Sequence, residues 1–203
     1  LSALEIPIAE TFDVQCKNNL VLRVAVEIGS LSAHHGQNTS LFLNPTADIA
    51  YISSLQANRS TLLHLSAKDR CIIASASSGP NESTTDHVYS GQSLIVANGQ
   101  LLGETSCFEF STQSVMTEIK LKDVTPACSE MSADPPKRMP VEGVSELSQI
   151  KEFFPLTVTP FVPTEIEQQD HACQSAFQIQ VTGLARRLRA TGSQNVVLGL
   201  SGG

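Results

Sequence analysis

The apolar positions fall into short runs separated by polar breaks rich in glycine and proline. Leu20 to Ile28 (LVLRVAVEI) is almost continuous Leu, Val and Ile, and predicts a strand buried on most of its length. The polar, Gly-containing stretch from Ser30 to Thr39 predicts a loop. Ser40 to Leu43 predicts a short strand ending at the turn pair Asn44-Pro45. From about Ser53 to Asp69, Leu55, Leu62, Leu63 and Leu65 are spaced by polar residues. That spacing predicts a helix with Arg59, Lys68 and Asp69 on its wet side. Cys71 to Ser75 (CIIAS) reads as the next strand, and Ser78-Gly79-Pro80-Asn81 as loop. Ser93–Ala97 and Leu101–Glu104 flank Asn98-Gly99. This dipeptide predicts a hairpin, because a type I′ turn needs positive φ at both central residues. Val115 to Leu121 (VMTEIKL) alternates, and predicts an antiparallel strand with one wet face.

Composition changes near Pro126. Seven of the ten prolines lie between Pro126 and Pro163. Proline removes a backbone donor and breaks helices, so 126–163 reads as a linker. Thr164 and Glu167 have the spacing of a capping box, opening a helix from about Glu165 to Ala190. Arg186, Arg187 and Arg189 crowd its last turns, where cations suit the helix dipole, and Gly192 stops it. Asn195 to Leu200 (NVVLGL) predicts a buried strand running into Ser201-Gly202-Gly203. Both termini read as interrupted within folded sequence.

The whole chain of 203 residues thus reads as α/β, large enough for one domain and part of another. Aromatics are only 5%, with no Trp, so the core must be aliphatic. A net charge of −7 argues against a general nucleic-acid or anionic-membrane binder. No apolar run approaches the length of a membrane span. Cys16, Cys71, Cys107, Cys128 and Cys173 are scattered, odd in number and without a C-x-x-C pair. They suit neither a zinc site nor a disulfide scaffold, and read as reduced thiols in a cytoplasmic protein.

Other candidate groups have plainer readings. His34, His35, His64 and His87 do not converge with carboxylates or thiols, so no metal site is expected. Ser83-Thr84-Thr85-Asp86 suits a hydrogen-bonded turn better than a catalytic Ser–Asp pair. The Arg186, Arg187, Arg189 cluster is expected to be a solvated helix end rather than a phosphate site. Asn58-Arg59-Ser60 fits the glycosylation pattern, a match expected by chance without a secretory signal.

Four segments carry a resemblance to a known family. They are Val26-Glu27-Ile28 at a strand end; Arg70-Cys71 followed by Glu82-Ser83-Thr84-Thr85-Asp86 and the Asn98-Gly99 hairpin; Gln168 through Leu184; and Val196 through Gly203. In this order they resemble the glutamine-dependent NAD synthetases, from Leu20 onward and least in the linker. The resemblance implies a fold for each part. Residues 1–125 would be the C-terminal half of a nitrilase-like α-β-β-α sandwich of the carbon–nitrogen hydrolase type. Residues 126–163 would be a linker, and 164–203 the first helix and strand of a doubly wound ATP-binding domain.

The same resemblance implies the chemistry. The family ligates nicotinic acid adenine dinucleotide with ammonia from glutamine, using ATP and magnesium, and works as a homo-oligomer. Its glutaminase needs a Cys nucleophile, a Glu base and a Lys that stabilises the oxyanion. The Glu and Lys would precede this sequence, and the nucleophile position is Gly29, followed by Ser30. No catalytic residue, metal site or cofactor is therefore expected in this chain. Ser201, Gly202 and Gly203 would be the first half of an S-G-G-x-D-S pyrophosphate loop, whose glycines let backbone N–H groups crowd round phosphate. A catalytically dead nitrilase-fold scaffold and a stand-alone carbon–nitrogen hydrolase remnant remain as alternative readings.

Overall fold

A computed structural model describes residues 11–15, 21–29, 31, 39–120, 162–163 and 165–200. Its centre is one mixed sheet of six strands, ordered β1 to β6 as in the chain. The strands are β1 (Thr11–Gln15), β2 (Val21–Val26), β3 (Leu41–Thr46), β4 (Ile72–Ser77), β5 (Ser93–Ala97) and β6 (Gln100–Glu104). Pairs β2–β3 and β3–β4 are parallel, and the outer pairs are antiparallel. The α/β class read from the sequence is borne out.

Helix α1 (Ser54–Asp69) crosses over between β3 and β4 and covers one face of the sheet. Its Leu62 and Leu65 pack with Ala25, Phe42, Ile73, Leu94 and Val96 into the main apolar cluster. Side chains alternate along a strand, so Phe42, Asn44 and Thr46 share this face, as do Ile73, Ser75 and Ser77. The opposite face carries a smaller cluster around Ile72 and Ala97, while Leu43 is exposed there. Among the described residues there is no second sheet.

The end of α1 is joined to the β5–β6 hairpin by one buried hydroxyl. Ser66 Oγ donates to Leu63 O (3.0 Å) and accepts from Gly99 N–H (3.0 Å). Asn98 (φ 48°) and Gly99 (φ 78°) take the positive φ values expected for the hairpin turn. A Cβ on Gly99 would lie 2.9 Å from the Ala67 Cβ, so the close approach of helix and turn also requires glycine.

Several expectations fail. The Leu20–Ile28 strand is shorter and wetter than its composition suggests: Val21 and Ile28 are exposed, and only Val24 and Ala25 are buried. Asn44-Pro45 does not end a strand; β3 runs through it to Thr46, with Pro45 facing solvent. β1, absent from the sequence reading, pairs antiparallel with β2 over five residues, and Asp13 and Arg23 face each other across that ladder at 2.8 Å from the guanidinium Nε. That hydrogen bond from Arg23 holds the exposed Asp13 carboxyl below its usual pKa.

Residues 115–120 form no strand: Met116 is exposed and Ile119 packs singly on the minor cluster. Residues 195–200 form none either, and Val196, Val197, Leu198 and Leu200 are exposed, because no described strand lies beside them. An apolar run makes a strand only when a ladder partner exists. Helix α2 (Ile166–Thr191) matches the sequence reading, but Glu165 caps it without a side-chain bond. Thr164 lies outside the described residues, as does the expected linker apart from 162–163.

Ile73 is 1% exposed, so Ile73→Ala should cost about 2–5 kcal/mol, read as a lower urea midpoint with unchanged slope. Gly99→Ala should cost about 1 kcal/mol or more, from positive φ and the clash with Ala67.

Candidate functional site

In open α/β sheets, ligands gather at the carboxyl ends of parallel strands. Here that rim is formed by the residues after β2, β3 and β4. The first is the turn at Glu27-Ile28-Gly29. The ladder continues into it, since Glu27 N–H donates to Leu43 O (3.0 Å) and Gly29 N–H to Pro45 O (2.9 Å). Gly29 then takes φ +86°, in the left-handed region that favours glycine.

Asn44 holds this turn. Its side chain is buried on the α1 face, and Nδ2 donates to both Glu27 O and Gly29 O, each at 2.8 Å. The amide oxygen accepts from Ser75 Oγ at 3.1 Å. Both amide hydrogens and the oxygen are therefore engaged. Along this face the layer Phe42–Ile73 gives way to Asn44–Ser75 and then to Thr46–Ser77. The hydroxyls of Thr46 and Ser77 are buried without a hydrogen-bond partner among the described residues. The sheet is thus apolar under α1 and polar at its carboxyl rim.

The loop after β4 completes the rim. Pro80–Glu82 forms a short 3-10 turn. The Ser83–Asp86 segment is the hydrogen-bonded turn expected: Thr84 Oγ1 accepts from His87 N–H (3.1 Å) and Asp86 N–H (3.3 Å), and Ser83 Oγ accepts from Tyr89 N–H (3.0 Å). These hydroxyls are occupied by backbone donors rather than poised for chemistry.

The arginine cluster is a correction. Instead of a solvated helix end, Arg186 Nε donates to Asn81 O (2.8 Å), Arg187 to Thr85 O, and Arg189 lies 3.7 Å over the Phe110 ring. The last turns of α2 are thereby bound to the rim loop. Sequence spacing could not show this, because the acceptors are backbone carbonyls about a hundred residues away.

Asn58 lies inside α1, where its amide donates to Gln92 Oε1 (3.1 Å). Gln92 in turn donates to Glu104 (3.0 Å), which pairs with Arg59. The glycosylation pattern is therefore part of a helix-to-sheet network. Cys71 is buried, and loss of solvation, with the Asp69 charge second, pushes its thiol up to about 12. Burial, with the Glu104 charge second, likewise raises Cys107 to about 11. Neither is an activated nucleophile. Among the described residues no three His, Cys, Asp or Glu side chains converge as for a metal. His34 and His35, and the loop residues Ser201, Gly202 and Gly203, lie outside the described residues. Among the described residues no helix is long and apolar enough to cross a membrane.

Comparison with known proteins gives the particular kinship. No family model matches the chain. It is 32% identical over 162 residues to the glutamine-dependent NAD(+) synthetase of Mycobacterium leprae, and 30% identical over 162 residues to that of Mycobacterium tuberculosis. Each match takes in 70% of this chain but 23% of the relative, so the chain corresponds to less than a quarter of those enzymes' length.

Among solved structures it is similar to the glutamine-dependent NAD(+) synthetase of Cytophaga hutchinsonii (20% identical, 53% of this chain and 20% of that one, TM-score 0.41). It is also similar to an amidase from Nesterenkonia (18%, 48% and 39%, TM-score 0.36). The resemblance read from the sequence stands: this chain resembles an internal stretch of glutamine-dependent NAD(+) synthetase.

Asn44→Leu would leave two carbonyls and the Ser75 hydroxyl unsatisfied. It should destabilise the fold by about 2–4 kcal/mol in urea unfolding, at about 1–3 per orphaned group. Nothing lies within 4 Å of a Cβ built on Gly29. Gly29→Cys should therefore fold, at a cost of about 1–2 kcal/mol for its positive φ. Its thiol should alkylate readily at pH 8 in the native protein, while Cys71 stays protected until unfolding; peptide mass mapping reads both.

Proposed function

We propose that this chain is part of a glutamine-dependent NAD synthetase and makes no nucleophilic attack on glutamine itself. In this reading residues 1–125 belong to the nitrilase-like glutaminase domain and 126–163 are a linker. Residues 164–203 open the ATP-binding domain, with Ser201, Gly202 and Gly203 starting its pyrophosphate loop. The sheet face away from α1, bearing Leu43, is where the second sheet of a four-layer sandwich would pack. The parent reaction is the ATP- and magnesium-dependent amidation of nicotinic acid adenine dinucleotide to NAD by glutamine-derived ammonia. The parent enzyme acts as a cytoplasmic homo-oligomer.

The observation that carries the reading is the turn at Gly29, joined to the kinship in sequence. The backbone is held as a nucleophile-bearing turn would need, by Asn44 and by the Gly29–Pro45 hydrogen bond. The residue at its tip has no side chain. Attack on the glutamine carboxamide needs a group that forms the acyl intermediate and releases ammonia, and glycine cannot supply one. A non-hydrolysing, nitrilase-fold scaffold is the second reading, and Gly29 is the feature that favours it.

Purified protein incubated with glutamine should release no ammonia above the buffer rate, followed by coupling to glutamate dehydrogenase. Release proportional to protein concentration would overturn the assignment of Gly29 as an empty nucleophile position.

A further inference from the structure

No other asparagine in the chain is followed by glycine, and Asn98 stands exposed at the tip of the β5–β6 hairpin. Such a pair carries its own electrophile and nucleophile. The Gly99 amide nitrogen, on losing its proton, can attack the side-chain carbonyl carbon of Asn98. The Cγ–Nδ2 bond breaks, Nδ2 takes up a proton and leaves as ammonia, and a five-membered imide remains. Water opens the imide at either carbonyl, giving aspartate or isoaspartate with no change of oxidation state. Glycine leaves the attacking nitrogen uncrowded, so spacing alone marks Asn98 for this reaction.

The fold opposes it in two ways. With φ positive at both Asn98 and Gly99, the turn is of the type whose first central residue has ψ of roughly +30°. At that ψ the Gly99 nitrogen lies nearly anti to the Asn98 Cβ about the Cα–C bond, whereas the imide ring needs them nearly eclipsed. The nitrogen is also held. Its N–H donates at 3.0 Å to the Oγ of Ser66, which is 0% exposed. Gly99 is so close to Ala67 that its peptide cannot swing toward the side chain unless the hairpin lifts off α1. The reacting geometry is thus denied by the same contacts that seat the hairpin.

We propose that Asn98 is a self-deamidation site gated by Ser66, closed while the hairpin is seated on α1 and reacting when that seat opens. The step runs one way. Aspartate adds a charge at an exposed position and leaves the backbone as it was. Isoaspartate carries the main chain through the side chain and lengthens the turn by one carbon, so the hairpin no longer fits against α1. Asn98 N–H donates to Cys71 O (3.3 Å), so loss of this fit uncovers the Cys71 thiol, now 1% exposed.

The full chain, incubated at pH 8 and followed by peptide mass mapping, should deamidate at Asn98 at least about tenfold more slowly than in denaturing urea, because only locally opened molecules react. Ser66→Ala, its fold checked by circular dichroism, should speed the native reaction about two- to tenfold, the factor one net hydrogen bond is worth. The unmutated chain gives the same test without a variant: below the unfolding range of urea, Gly99 amide exchange and Asn98 deamidation should accelerate together. Aged protein bearing isoaspartate should alkylate at Cys71, whereas Asn98→Asp, which adds the charge alone, should keep Cys71 shielded. Equal rates in native and denatured chain, a folded Ser66→Ala that reacts no faster, deamidation independent of Gly99 exchange, or an isoaspartate form with Cys71 still shielded would each overturn the proposal.

Discussion

The buried carboxamide of Asn44 is the contact on which the functional end of this sheet depends. The β2–β3 pairing covers only Val24 to Val26 against Leu41 to Leu43. Beyond it the chain must leave the sheet, and carbonyls at such a point lose their ladder partners. Asn44 supplies two donors to those carbonyls from the neighbouring strand, and Ser75 completes its own hydrogen bonding from the next. Three parallel strands are thereby tied together at their carboxyl ends by one side chain. An apolar residue would fill the space but leave the carbonyls unpaired, a larger loss than the hydrogen bonds' own net contribution.

Two further attachments build outward from this frame. The Ser66 hydroxyl links the last turn of α1 to the Asn98-Gly99 turn, fixing the helix over the apolar layer of Phe42, Ile73, Leu94 and Val96. At the rim, the arginines of α2 grip the loop after β4 through its carbonyls and through Phe110. Carbonyl acceptors make that grip indifferent to the loop's side chains, so it is a contact of shape rather than of sequence. It also connects the strand-rich part of the chain to the helix that follows the proline-rich stretch, and does so at the rim where the Gly29 turn lies.

The kinship with glutamine-dependent NAD(+) synthetases gives this arrangement its meaning, and Gly29 gives its limit. The turn is held by hydrogen bonds and leaves open space for a side chain, and in the proposed reading Gly29 is a position without its reactive group. Geometry and chemistry are thus separable here: the backbone is organised by Asn44 and Pro45, neither of which would itself react.

The α/β class, both helices and the hairpin were legible in the sequence because each rests on local rules: apolar period, helix stops and positive φ at Asn98-Gly99. The role proposed for Gly29 rests on family resemblance, not on spacing. Tertiary structure decided the rest. It extended β3 through Asn44-Pro45, where the Asn44 side chain serves the Glu27 carbonyl that Pro45, lacking an N–H, cannot. It left the apolar run 195–200 unpaired, because a strand exists only beside another. It laid β1 along β2 in an antiparallel ladder, and turned a basic helix end into a clamp on carbonyls a hundred residues distant. The roles of Asn44, Ser75 and Ser66 were likewise invisible, because a polar residue's worth lies in which buried backbone groups the fold brings to it, and no periodicity encodes that.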